Sequence, residues 1–185
     1  DGSTTTAVLS ITIQGNTDGV PGIVIPDSNN PGAGDGDKTV AETDGAMAGT
    51  FAITAPAGLD SLTVGGTLFT AAQLADPVYL AAHPVNTGEG VLVLTGYNPT
   101  TGEVSYTYDP SVQSHDGPVM DAIPVIVSDL LGASTPAQLD ITITDSQPVA
   151  EDDAGSVSED TALVASGNVL LGAGADTVGA DLNAS

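Results

Sequence analysis

Leu9, Ile11 and Ile13 alternate with Ser10 and Thr12, the two-residue period of a strand with one buried face. The same alternation returns at Phe51/Ile53, Leu62/Val64, Val104/Tyr106/Tyr108 and Leu139/Ile141/Ile143, and GVLVLTGY (90–97) is a nearly continuous apolar strand. The stretch NPTTGE, between that strand and VSYTYD, predicts a hairpin loop: Pro99 sets φ and Gly102 tolerates a positive φ. Pro124 within DAIPVIVSD predicts an edge strand or a bulge, because proline cannot donate to a ladder. Only FTAAQLAD (69–76) and PVYLAAH have the makings of a helical turn. About seven to nine short strands with Gly, Pro, Asn and Asp turns predict an all-β sandwich.

The pattern repeats at long range. AVLSITIQGNTDGVPGI, from Ala7, resembles AQLDITITDSQPVAEDD, from Ala137, and DGDKTVAETD, from Asp35, resembles DDAGSVSEDT, from Asp152. The two I-T-I cores lie 130 residues apart and the two Val-x-Glu cores 117 apart, so the first linker, with PDSNNPGAGDGD, is the longer. Two matches in the same order divide the chain into the last strand of one repeat (1–16), one complete sandwich repeat (17–146), and a linker with the start of a following repeat (147–185).

Composition then changes the question from fold to chemistry. The 185 residues hold 24 acids against one basic residue, Lys38, for a formal net charge of -23. Hydrophobic residues make up 41% but aromatics only 3%, so a core is expected from Val, Ile, Leu and Ala. The charge disfavours nucleic acid as a partner, since binding it needs Lys and Arg on phosphates. It disfavours anionic membrane surfaces equally, and no apolar run approaches spanning length. Without cysteine there is neither a disulfide framework nor a thiolate metal site.

The acids are unevenly spread: six fall between residues 145 and 160, six between 18 and 44, and only nine in the 81 residues from 60 to 140. Two such charges 4 Å apart near a surface repel by about 4 kcal/mol. Calcium reverses that sign, taking roughly 6–8 oxygen ligands and needing neither Cys nor His. The candidate ligands are Asp18, Asp27, Asp35, Asp37 and Glu42 at one joint, and Asp145, Asp152, Asp153, Glu159 and Asp160 at the other. The competing reading of any one of these acids is a solvated loop charge that keeps the chain soluble. LGAGADTVG (171–179) looks like a degenerate Gly-rich calcium nonapeptide, but such repeats act by stacking, and a lone copy reads better as a loop. SHD (114–116) holds triad residue types, yet adjacent residues of one loop cannot converge as a triad does. No G-x-S-x-G, H-E-x-x-H or phosphate-binding Gly loop with Lys is present, and His83 and His115 read as surface loop residues. The expectation is a protein that is not an enzyme.

Several stretches carry a resemblance: E-T-D-G (42–45), G-T-F-A-I-T-A (49–55), L-T-V-G-G (62–66), L-T-G-Y-N-P-T-T-G-E-V-S-Y-T-Y (94–108), V-I-V-S-D (125–129) and L-D-I-T-I-T-D-S-Q-P-V-A-E-D-D (139–153). Taken in order, they resemble the tandem extender repeats of giant RTX adhesins, bacterial proteins exported by type I secretion and related to VCBS-type repeats. The resemblance implies an immunoglobulin-like or cadherin-like sandwich, extracellular at the bacterial surface and in biofilm. It implies Ca2+ at the joints, adjacent repeats of the same chain as partners, no membrane insertion, and a distal ligand-binding region held away from the cell. Asp145, Asp152, Asp153 and Glu159 match the junction acids at one joint, and Asp18 with Glu42 at the other. The sequence departs from the pattern at SDLLGAS, where a longer acidic turn is reduced to Asp129. The alternative is a calcium-dependent module of the same adhesin that binds a glycan or a surface, through the Asn/Gly/Asp-rich loop 27–37.

Overall fold

The alternating stretches become strands, and the strands form two sheets. A computed structural model describes residues 2–11, 19–27, 36–112, 117–160, 164–172 and 174–180. In chain order its elements are β1 (Gly22–Val24), β2 (Lys38–Ala41), β3 (Met47–Thr54), β4 (Leu59–Val64), β5 (Thr67–Thr70), α1 (Ala71–Leu74), α2 (Pro77–Ala82), β6 (Val85–Asn86), β7 (Gly90–Tyr97), β8 (Glu103–Pro110), β9 (Val119–Asp129) and β10 (Ala137–Thr144). One sheet runs β1-β3-β8-β7-β6 and the other β2-β10-β9-β4-β5. The opening strand is divided between them: β1 pairs antiparallel with β3, and β2 pairs parallel with β10. This strand order corresponds to that of immunoglobulin-type sandwiches. Among the described residues ten strands form, rather than seven to nine, because of that division and because of the two-residue β6.

The inward positions are those the alternation names. Leu139, Ile141 and Ile143 of β10 and Val104, Tyr106 and Tyr108 of β8 are buried in one core that spans Val40 to Ile143 and also holds Phe51, Leu62, Leu92 and Leu94. Both phenylalanines and two of the tyrosines are buried there, whereas alanine, expected in the core, is absent from the buried residues described. A methyl group fills too little of the roughly 10 Å between two packed sheets.

Pro124 corrects one expectation. β9 is neither an edge nor bulged at this residue; it lies between β10 and β4. The Pro124 carbonyl accepts from Gly65 N–H, just past the last residue of β4. A strand residue points its N and O to the same side, so the missing donor faces the end of β4 and breaks no ladder. The hairpin after β7 forms as expected. Asn98 Oδ1 accepts from the N–H groups of Thr100 and Thr101, and Gly102 adopts φ 76°. The helical turns also form. Thr70 and Gln73 make a capping box for α1, and Asp76 caps α2 ahead of Pro77.

The chain arrives and leaves at opposite ends. Gly22 pairs with Thr54 beside the β3–β4 turn, and Gly19 rests near Pro56, which defines the leading end. β10 runs in the same direction as β2, from its turn with β9 to Thr144 beside Ala41, which defines the trailing end.

Candidate functional site: carboxylates at the trailing end

In E-T-D-G, Asp44 closes the turn after β2, its Oδ2 accepting from Ala41 N–H at 2.8 Å. That turn sends Glu42 inward, where it is 1% exposed. Glu42 Oε1 accepts from both the N–H and the hydroxyl of Ser146, 104 residues later. The Ser146 hydroxyl in turn accepts from Ala180 N–H at 2.8 Å. One buried carboxylate therefore ties the end of β10 to the segment that follows. That segment folds back through a Val149–Thr177 bridge and a bond from Glu151 N–H to Asp176 Oδ1. Beside Ser146, Asp145 is half-buried, and its Oδ1 is buried and accepts no hydrogen bond.

A second pair of acids lies where β2 begins. Asp37 N–H donates to the Asp140 carbonyl, and Asp37 Oδ2 accepts from Asp140 N–H at 2.8 Å. Burial, and then the Asp37 charge, push the Asp140 carboxyl above its ordinary value of 3.8. Burial and Asp37 also push the Tyr106 hydroxyl up to about 12. Lys38, the single basic side chain, donates its ammonium to the Ala48 carbonyl.

The remaining candidates fall as follows. Asp27, Asp152, Asp153, Glu159 and Asp160 are exposed, and Asp160 takes φ 66°. Asp18 and Asp35 lie outside the described residues, as do His115 and the rest of SHD. Among the described residues, no three acids or histidines gather into a group that would hold an ion. His83 is exposed at the end of α2, stacked on Tyr79 with ring centroids 3.7 Å apart. Within LGAGADTVG, Asp176 is the acceptor for Glu151 N–H, so it acts in the fold of the loop.

Two further acids, Asp121 and Asp129, neither of them among the candidate ligands, are buried. Asp121 Oδ2 accepts from the Tyr108 hydroxyl at 2.7 Å and from the Thr87 hydroxyl. Burial, then the bonded Asp121 carboxylate, drive the Tyr108 hydroxyl far above its usual range. Asp129 accepts from the N–H groups of Ala57, Leu131 and Gly132. Burial pushes its carboxyl up, but these three donors more than offset that and hold it below the ordinary value. The short SDLLGAS turn is thus organised by main-chain donors to one carboxylate. The signal was present in the sequence, because Asp121 and Asp129 share the inward parity of Ile123, Val125 and Val127.

A cavity of about 550 Å³ opens at the leading end between Pro56, Leu59, Tyr97, Pro99 and Thr100, and no charged residue lines it. Comparison with protein families, curated proteins and solved structures returns no match.

Two predictions arise from this geometry. Ser146→Ala removes the hydroxyl shared by Glu42 and Ala180, and is expected to destabilise by about 1–2 kcal/mol in urea denaturation. It should also speed amide exchange at Ala180, while an unchanged exchange rate would deny the relay. Asp140→Asn removes a like-charge neighbour of Asp37 and is expected to stabilise by roughly 0.5–1 kcal/mol in chelator at neutral pH. The pH dependence fixes the sign. A carboxyl with a raised folded pKa contributes stability that is full below its unfolded pKa and lost as pH rises through the folded one. Wild-type stability in chelator should therefore climb as pH falls from neutral towards the raised Asp140 pKa. It should fall again below about 3.8, the ordinary value, as protonation of Asp129 removes its contribution. Asp140→Asn should flatten the climb and leave the fall.

Proposed function

We propose that this chain is a calcium-rigidified extender module of a bacterial surface or biofilm adhesin, exported by type I secretion and lying outside the cell. In this reading adjacent repeats of the same chain are its partners, and it projects a distal ligand-binding region. The observation that carries the proposal is the trailing end, where Glu42 binds Ser146 and the neighbouring Asp145 keeps a buried Oδ1 that accepts no hydrogen bond, at the joint with the following segment. The position of the two ends supports it as well: arrival and departure at opposite ends suit modules joined into a rod.

The donor chemistry fits calcium. The available ligands are hard oxygens, and the buried Asp145 Oδ1 accepts no hydrogen bond. With two carboxylates at the joint, main-chain carbonyls and water would complete the shell. The ion would supply charge compensation there, and Glu42, through Ser146, would hold the backbone in register for it. Calcium titration calorimetry on the whole chain tests this. Saturable binding is expected, with affinity reduced about ten-fold or more in Asp145→Asn, the loss of one charged ligand. Absence of any binding heat together with an unchanged scattering profile in calcium would defeat the proposal. Asp140→Asn adds a sign test: if calcium also sits at the Asp37–Asp140 pair, the substitution stabilises in chelator and destabilises in calcium.

The uncharged groove at the leading end favours a second reading, a ligand-binding module of the same adhesin. Binding on a glycan array that is lost in Tyr97→Ala, with calcium affinity intact, would select it.

A further inference from the structure

The described residues before β1 contain a strand sequence with no sheet. Val8, Leu9 and Ile11 are 94%, 84% and 74% exposed, and residues 2–11 form no regular element. Their sequence, A-V-L-S-I-T-I from Ala7, matches A-Q-L-D-I-T-I from Ala137 at five of seven positions. The second copy is β10, where Leu139 and Ile141 are 1% and 0% exposed. In β10 the two differing positions face away from the core: Gln138 is exposed and pairs with Pro124, while Asp140 is half-buried and pairs with Ala122. The Ala7 stretch therefore has the inward side chains of a last strand, in the same order and spacing, and leaves Leu9 and Ile11 in water. Burying a leucine and an isoleucine is worth about 1.5–3 kcal/mol each.

We infer that the stretch opening at Ala7 is a last strand for another sandwich of this same kind, one that lacks a last strand of its own. It would run parallel to that sandwich's counterpart of β2 and antiparallel to its counterpart of β9. β10 ends at the trailing end. The partner's trailing end therefore comes within a few residues of Gly19, against the leading end of this module, and the two sandwiches stand end to end. The inference adds a strand donation to the extender reading and depends on that reading only for the rod that results.

The test is strand complementation in the full chain, in chelator. A host carrying Ile11→Asp and Ile141→Asp places a carboxylate in the β10 slot and disables its own spare strand. Synthetic peptides of residues 4–15 and 134–145 are then added separately. Either peptide is expected to raise the folded-to-unfolded ratio about ten-fold at ten times its dissociation constant, read by dispersed methyl NMR signals. A 4–15 peptide with Leu9→Asp should do nothing. Recovery with 134–145 but not with 4–15 overturns the inference. If neither peptide acts, the graft Gln138→Val/Asp140→Ser decides, since it rewrites β10 of the native chain as A-V-L-S-I-T-I. A cooperative transition near that of the wild type supports the inference, and loss of folding overturns it. Because calcium is absent throughout, this result and the calcium titration can fail independently.

Discussion

In millimolar calcium the chain is expected to unfold well above its midpoint in EDTA, by about 10 °C for each ion bound at 100 times its dissociation constant. Each such ion adds about 2.7 kcal/mol by mass action, because the unfolded chain does not hold its ligands together. The effect is large here because the opposing force is large. With 24 acids and one Lys, the folded chain concentrates negative charge that the unfolded chain spreads out. Asp37 faces Asp140 at the start of β2, and two charges 4 Å apart near a surface repel by about 4 kcal/mol. Monovalent salt should recover only part of the shift, since screening at 1 M still acts over about 3 Å and supplies no ligand bonds. Magnesium should do less than calcium, because its strict octahedron suits few irregular carboxylate sites. Calorimetry in matched calcium and EDTA buffers measures all three. A midpoint indifferent to calcium would remove the case for an ion at the joints and leave the acids as solvated charge.

Gly102→Ala is expected to be the most damaging small substitution, at about 2–5 kcal/mol in urea denaturation. Two causes add. The residue adopts φ 76°, which an L side chain occupies at about 1–2 kcal/mol, and a Cβ at this position would run into the Ile53 carbonyl oxygen. That contact is with backbone, and Ile53 N–H donates to the Gly102 carbonyl at 2.9 Å, so β3 cannot retreat without losing a bond to the hairpin. Gly66→Ala is the control: its φ is 81°, but open space surrounds the would-be Cβ, so only the conformational cost of about 1–2 kcal/mol is expected. Equal losses at the two positions would mean that the close approach of hairpin and β3 is not maintained in solution.

What was legible beforehand followed from nearest neighbours. The strands of the core, the loop at Asn98–Gly102 and the helical turns of α1 and α2 each depend on a few consecutive residues, whose sterics and caps act locally. The place of Pro124 is not legible locally, because a proline's tolerance depends on where the adjacent strand stops, and β4 stops one residue before Gly65. Of the candidate acids, Glu42 and Asp145 come to one joint, whereas Asp152, Asp153, Glu159 and Asp160 stand exposed. Asp140 sits on the polar side of the β10 alternation, where an acid reads as a solvent-facing charge and gives no local sign of its encounter with Asp37.

The sequence by itself determined that this chain is an all-β sandwich with an aliphatic core and a large uncompensated negative charge, because periodicity and composition are carried residue by residue. Only the tertiary structure decided which acids meet. Asp37 and Asp140 are 103 residues apart, as Glu42 and Ser146 are 104 apart. Their encounter requires β2 to cross to the second sheet and pair parallel with β10, a long-range register that no local pattern encodes.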